Sequence, residues 1–279
     1  FRLRLAAGYI GGIVLLLILY VGLIGVNLLN VPTDEYLPIR ISMVIAALWL
    51  GGFAIPVILH PPLPKRSIPA ATAVDYRLLQ APVAHGAHLK NEAPHTLFFL
   101  IASAVFRDGL AGVFTFGAVL AKTAFGFTAG QVMIFAIAAN IVAGLATVAF
   151  GWVDDIGPKK VIILSLCAMV VAGFGVFFLH ARGPIVFWTL GLALCVFVGP
   201  TQSAVALFLS RIIPPVATGE VFGLYATTGR AVSFMAPAMY SLFLMIGKAV
   251  TPAGEDYTYW GILGIMLILG FGLAPDASP

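Results

Sequence analysis

The sequence predicts an all-α integral membrane fold, a helical bundle with about eight transmembrane helices. Three observations carry that prediction. Hydrophobic residues make up 61% of the chain and charged residues only 9%, with a mean hydropathy of +1.06. A soluble domain carries roughly 25% charged residues, so no soluble core could absorb this excess. The apolar residues also fall in runs of about 17–25, the length that crosses a bilayer as a helix. Segments of about ten alternating residues, the mark of a membrane β-barrel, do not occur. Finally, the 30 Gly and 18 Pro suit polytopic membrane helices, which tolerate both better than soluble helices do.

Eight runs qualify, in this order: Leu5 to Leu29, Ile39 to Leu59, Thr96 to Leu120, Gln131 to Phe150, Val161 to Leu179, Ile185 to Phe208, Val221 to Ile246, and Tyr257 to Leu273. The last is short and leans on Tyr257, Tyr259 and Trp260 as interfacial anchors. An even number of spans puts both termini on one side. That side carries Arg2, Arg4, Lys65, Arg66, Arg77, Lys90, Lys159, Lys160 and Arg211, against Arg40, Lys122, Arg182 and Lys248 on the other. The positive-inside rule makes the richer side cytoplasmic, hence the plasma (inner) membrane if the source is prokaryotic. Net charge +4 reads as this topology signal and not as a nucleic-acid footprint.

The stretch from His60 to His95 is the one long interruption. It is rich in proline (Pro61, Pro62, Pro64, Pro69, Pro82, Pro94), which suits an extended linker. The expected division is therefore 1–59 as two transmembrane helices, 60–95 as a cytoplasmic linker, and 96–279 as a six-helix unit. His85, His88, Glu92 and His95 in the linker read as solvated polar residues, and His-Glu-x-x-His is absent. Cys167 and Cys195 fall inside spans as small packing residues, and no metal, disulfide or cofactor pattern is visible.

Against this apolar background, Arg107, Asp108, Asn140, Gln202 and Arg230 all lie inside spans. A charged side chain at the centre of a membrane helix costs roughly 2.5–3.5 kcal/mol on insertion scales. At about 1.5 Å per residue, Asp108 lies about 18 Å from the cytoplasmic end of its span, Arg230 and Asn140 about 15 Å, and Gln202 about 12 Å. In a hydrocarbon core about 30 Å thick, all four come near the middle. A belt at one depth is expected to form a substrate and proton site. Asp108 is the candidate for the titrating or cation-pairing acid, because burial and a neighbouring guanidinium pull on its proton in opposite senses. Arg230 is its candidate partner, or else the anchor for a substrate carboxylate. Gln202 and Asn140 would hydrogen-bond the substrate. Arg107 is expected to face elsewhere, since adjacent helical residues point about 100° apart. Gly109, Gly112, Pro200 and Pro237 mark places where helices can bend beside the site. The competing reading is a static set of polar cross-links between helices.

Two motifs add a resemblance. The loop Gly151-Trp152-Val153-Asp154-Asp155-Ile156-Gly157-Pro158-Lys159-Lys160 resembles the signature cytoplasmic loop of the major facilitator superfamily. Either Asp154 or Asp155 is the motif acid, depending on which glycine starts the count. Gly199-Pro200-Thr201-Gln202, Ser210-Arg211-Ile212-Ile213-Pro214-Pro215, Gly219-Glu220-Val221-Phe222-Gly223-Leu224-Tyr225 and Gly229-Arg230 are similar to the vacuole-effluxer-like subgroup of that superfamily, named for an autophagy-related amino-acid effluxer. Arg107-Asp108-Gly109 and Gly8-Tyr9-Ile10-Gly11-Gly12 are also similar to it.

The resemblance implies a major-facilitator-like bundle: the last two helices of an N-terminal half, then the complete C-terminal half. The start at Phe1 fits an N-terminally truncated piece whose partner would be the missing N-terminal helices, and such a piece alone is expected to move nothing. It further implies a secondary active transporter working by alternating access, proton-coupled, for small solutes, with amino-acid efflux as the activity. Gly151, Asp154, Asp155, Gly157, Lys159, Lys160 and Glu220 would form the cytoplasmic gating loops. The partners implied are a small-molecule substrate, protons and the lipid bilayer, with no nucleic acid. One departure keeps another reading open. Ala204-Val205-Ala206 stands where the resemblance would place Ser-Arg, which suits a membrane scaffold or receptor-like protein that has lost transport. No phosphate-binding loop, metal motif or nucleophile elbow points to an enzyme.

Overall fold

A computed structural model describes residues 2–32, 36–59, 94–150, 157–212 and 218–273. All the regular structure among them is helical. In chain order the helices are α1 (Arg2–Leu19), α2 (Leu37–Leu59), α3 (Pro94–Thr123), α4 (Ala129–Ala149), α5 (Pro158–Leu179), α6 (Leu192–Ile212), α7 (Thr218–Ala231), α8 (Met235–Val250) and α9 (Gly261–Phe271). Six stretches are long and apolar enough to cross a membrane: Leu37–Pro56, Phe99–Thr123, Ala129–Ala149, Pro158–Arg182, Pro184–Arg211 and Phe222–Val250. The first and last expected spans are shorter apolar helices, Gly8–Ile24 and Thr258–Phe271.

The chain divides into two compact units, Phe1–Ile13 with Phe98–Pro279, and Val14–Leu97. In the second unit, α1 ends in a π-turn, Tyr20–Ile24, where Gly25 and Val26 N–H both donate to the Tyr20 carbonyl. Asn27 follows at φ 51°, a left-handed conformation that Asn tolerates. Its side chain grips Val31 twice, donating to the carbonyl and accepting the N–H, both at 3.0 Å. α2 leaves Met43, Leu48, Leu50, Phe53 and Ile58 exposed, a surface suited to hydrocarbon.

In the larger unit the helix ends are written locally. Gly126 at φ +66° turns the chain after α3, and Thr128 with Gln131 forms a reciprocal capping box that starts α4. Gly157 at φ +82° followed by Pro158 starts α5, and Gly183 at φ +82° followed by Pro184 starts the lead-in to α6. Inside α6, Pro200 removes one backbone donor; nearby, Thr201 and Ser203 hydroxyls donate to the carbonyls of Phe197 and Gly199 at 2.6 and 2.8 Å. One core of buried side chains, including Phe106, Leu110, Leu166, Met169, Val205 and Leu269, joins α3, α5, α6 and α9. Because lipid is as apolar as leucine, close packing must supply the attraction between such helices. Small residues provide it. A Cβ on Gly264 of α9 would collide with the Met239 carbonyl carbon at 2.6 Å, so α8 and α9 touch backbone to backbone.

The seventh expected span is interrupted. α7 and α8 are separate helices joined by a turn at Val232–Phe234. Pro237 sits in the first turn of α8. It has no N–H to continue a ladder, and its ring would clash with the carbonyl four residues earlier. The break therefore falls one turn before the proline, midway along a 29-residue apolar stretch.

Candidate functional site

The break in the span leaves the start of α8 short of helical partners: the Met235 N–H turns back to the Val232 carbonyl at 2.9 Å, but the Ala236 N–H needs a partner from elsewhere. Asp108 on α3 supplies one. Its Oδ2 accepts the Ala236 N–H at 2.6 Å, and the carboxylate is buried, with 8% of its surface exposed. A negative charge at a helix N-terminus is also favoured by the helix dipole. The contact needs α3 and α8 to approach closely, and Gly112, one turn along from Asp108, permits it. A Cβ on Gly112 would lie 3.1 Å from the Ala236 Cβ and 2.9 Å from Ile265.

Arg107 is held by α7. Its Nη1 donates to the Tyr225 carbonyl at 2.9 Å, and its guanidinium lies over the Tyr225 ring, 3.7 Å from the centroid. That is a cation–π stack with a backbone hydrogen bond to the same residue. Gly229, one turn on from Tyr225, leaves the space: a Cβ there would stand 3.1 Å from Arg107 Nη1.

Between α3, α6, α7 and the start of the α7–α8 turn lies a cavity of about 580 Å³. Its polar lining is Arg107, Asp108, Gln202, Arg230 and Ser233, and its apolar lining includes Ala111, Ala206, Phe222 and Tyr225. Four of the five residues expected at the site thus border one space. Arg107 and Asp108 leave α3 in different directions, one toward Tyr225 of α7 and the other toward Ala236 of α8, yet both border the cavity. The expectation that Arg107 faces a different way from Asp108 agrees with these contacts, but it does not take Arg107 out of the cavity lining. The expected Asp108–Arg230 ion pair does not form among the described residues. The helix break offers Asp108 a backbone donor instead, and Arg230 stays exposed.

Asn140 is not brought to this cavity. Its Nδ2 donates to the Ala136 carbonyl of its own helix at 2.8 Å, and a Cβ on Gly12 of α1 would lie 3.6 Å from its Oδ1. Of the expected gating residues, Gly151, Asp154 and Asp155 fall outside the described residues, as do His85, His88 and Glu92. Gly157 is the N-cap of α5, Lys159 and Lys160 are exposed in its first turn, and Glu220 lies at the start of α7. Tyr225 and the Ala236 N–H were not among the expected site groups. Tyr225 belongs to the Gly219–Tyr225 motif, and the Ala236 donor is foreshadowed only by Pro237.

A family model described as vacuole effluxer Atg22 like matches residues 3–245. No curated protein and no solved structure matches the chain. The match covers well over half of the sequence, and together with the apolar helices it shows that this multi-pass integral membrane protein belongs to the Atg22-like vacuole-effluxer family of transporters.

Proposed function

We propose that this Atg22-like family member is a proton-coupled secondary transporter that exports small solutes, amino acids among them, by alternating access. The observation that carries this reading is the Asp108–Ala236 bond at the break between α7 and α8, on the wall of a 580 Å³ cavity. Ligand pockets for small molecules span roughly 300–1,000 Å³, and transporters place discontinuous helices beside their midplane sites.

In the proposed cycle, Asp108 carries the coupling proton. Ionised, it holds the N-terminus of α8 against α3. Protonated, it loses the charge that the amide and the helix dipole favour and holds α8 less tightly, which lowers the cost of a shift. Arg230 and Gln202 meet the solute, and Arg107 keeps α7 in register with α3 through Tyr225. Residues 96–279 act as one half of the rocking pair, with 60–95 as the linker and 1–59 from the other half. Gly151, Asp154, Asp155, Gly157, Lys159, Lys160 and Glu220 gate the cytoplasmic face, where both termini lie. The protein is not an enzyme on this reading.

The test is solute efflux from proteoliposomes holding the full-length protein under an imposed pH gradient. Gradient-dependent flux supports the proposal. Absence of flux for every small metabolite tried, with a folded protein, favours the scaffold reading.

A further inference from the structure

We infer that the cavity selects its solute by a carboxylate held on Arg230, beside an apolar aromatic wall, and that an ammonium group on the solute is dispensable. The inference rests on the transport reading above and narrows its substrate class.

Three charged side chains line the cavity: Arg107, Asp108 and Arg230. Arg107 is committed to Tyr225 and Asp108 to Ala236. Arg230 is exposed, and its guanidinium has no hydrogen bond or ion pair among the described residues. It stands about 15 Å into the span, a depth at which an unmet guanidinium is costly. Its planar fork matches a carboxylate in two parallel hydrogen bonds. Gln202 adds an amide beside it. An ammonium group would need a free acid in the lining. Among the described residues Asp108 is the one acid in the lining; its Oδ2 is taken by the Ala236 N–H and only 8% of the residue is exposed. Two guanidiniums against one carboxylate leave the cavity electropositive.

The rest of the wall is apolar. Phe222 and Tyr225 meet edge to face at 6.2 Å, with Ala111, Ala206 and Ala226 alongside. Ala206 falls in the segment that departs from the family resemblance, and its methyl leaves room where a longer side chain would fill the space. The solute that fits is a carboxylate head on an apolar or aromatic body.

Three probes separate the parts: phenylalanine, its des-amino analogue 3-phenylpropionate, and its decarboxylated analogue phenethylamine. Thermal shift on the full-length protein in detergent reads binding without requiring transport. The expected result is equal stabilisation by phenylalanine and 3-phenylpropionate, within about twofold in Kd, and none by phenethylamine. Arg230→Gln should weaken both carboxylates by about tenfold or more, and Arg230→Lys should recover part of the affinity. Stabilisation by phenethylamine, failure of 3-phenylpropionate, or unchanged binding in Arg230→Gln would overturn the inference, as would silence from all three probes. Flux that ignores the carboxylate would also overturn it and leave transport standing. Carboxylate binding without flux would support the inference while sinking the transport reading.

Discussion

The Asp108 carboxylate crosses from α3 to accept the backbone N–H of Ala236 on α8 at 2.6 Å. It does for α8 what an N-cap residue does for an ordinary helix, but from another helix. The charge and the helix start therefore hold each other in place, and a change at either should be felt at both.

Replacing Asp108 separates charge from hydrogen bonding. In Asp108→Asn the amide oxygen can still accept the Ala236 N–H, so stability should fall by no more than about 1 kcal/mol. Asp108→Ala leaves that N–H without its acceptor and should cost about 1–3 kcal/mol. Thermal unfolding in detergent should rank wild type above Asn and Asn above Ala.

Repairing the break should disable the device. Pro237→Ala restores a backbone donor and removes the ring that blocks a continuous helix. α7 and α8 can then join, the Ala236 N–H finds a partner within its own ladder, and Asp108 loses its donor. Solute flux should fall sharply although helix propensity improves by about 3 kcal/mol at that position. Flux assayed at equal protein levels checks this.

Gly112 sets how close α3 and α8 come. Gly112→Ala would press on Ala236 and Ile265, and overpacking of this kind costs about 1–3 kcal/mol. Gly270→Ala in α9 is the control, because nothing lies within 4 Å of a Cβ there. A melting-temperature drop for the first and none for the second is expected.

Arg107 and Asn140 divide in the same assay. Tyr225→Leu removes the ring beneath Arg107 and should cost about 0.5–2 kcal/mol, while Tyr225→Phe keeps the stack. Asn140→Ala should leave solute affinity unchanged, because its amide bonds the Ala136 carbonyl and does not line the cavity.

Much of the membrane architecture was legible in the sequence, because hydrocarbon demands long apolar runs and punishes every stray charge. Helical rise alone put Asp108, Gln202 and Arg230 at one level of their spans, and all three line one cavity, while Pro237 marked the neighbourhood of the break. The partner of Asp108 was not legible. Sequence lists side chains, and the group that meets Asp108 is a backbone N–H freed by a proline on another helix. Asn140 makes the related point that depth says nothing of azimuth, since it does not line the cavity that the others share. One of its amide N–H groups donates to the Ala136 carbonyl one turn back on its own helix, a partner that depth alone does not reveal. Tyr225 was hidden because an aromatic residue in a membrane span is unremarkable until a guanidinium is found on its face.

In the proposed cycle Asp108 carries the coupling proton. The decisive measurement is solute-driven proton movement in proteoliposomes containing the full-length protein, read with a trapped pH-sensitive dye, for wild type and Asp108→Asn. Wild type should move protons with solute, and Asp108→Asn should still bind the solute but move none. Unimpaired proton movement in a folded Asp108→Asn protein would contradict this role for Asp108.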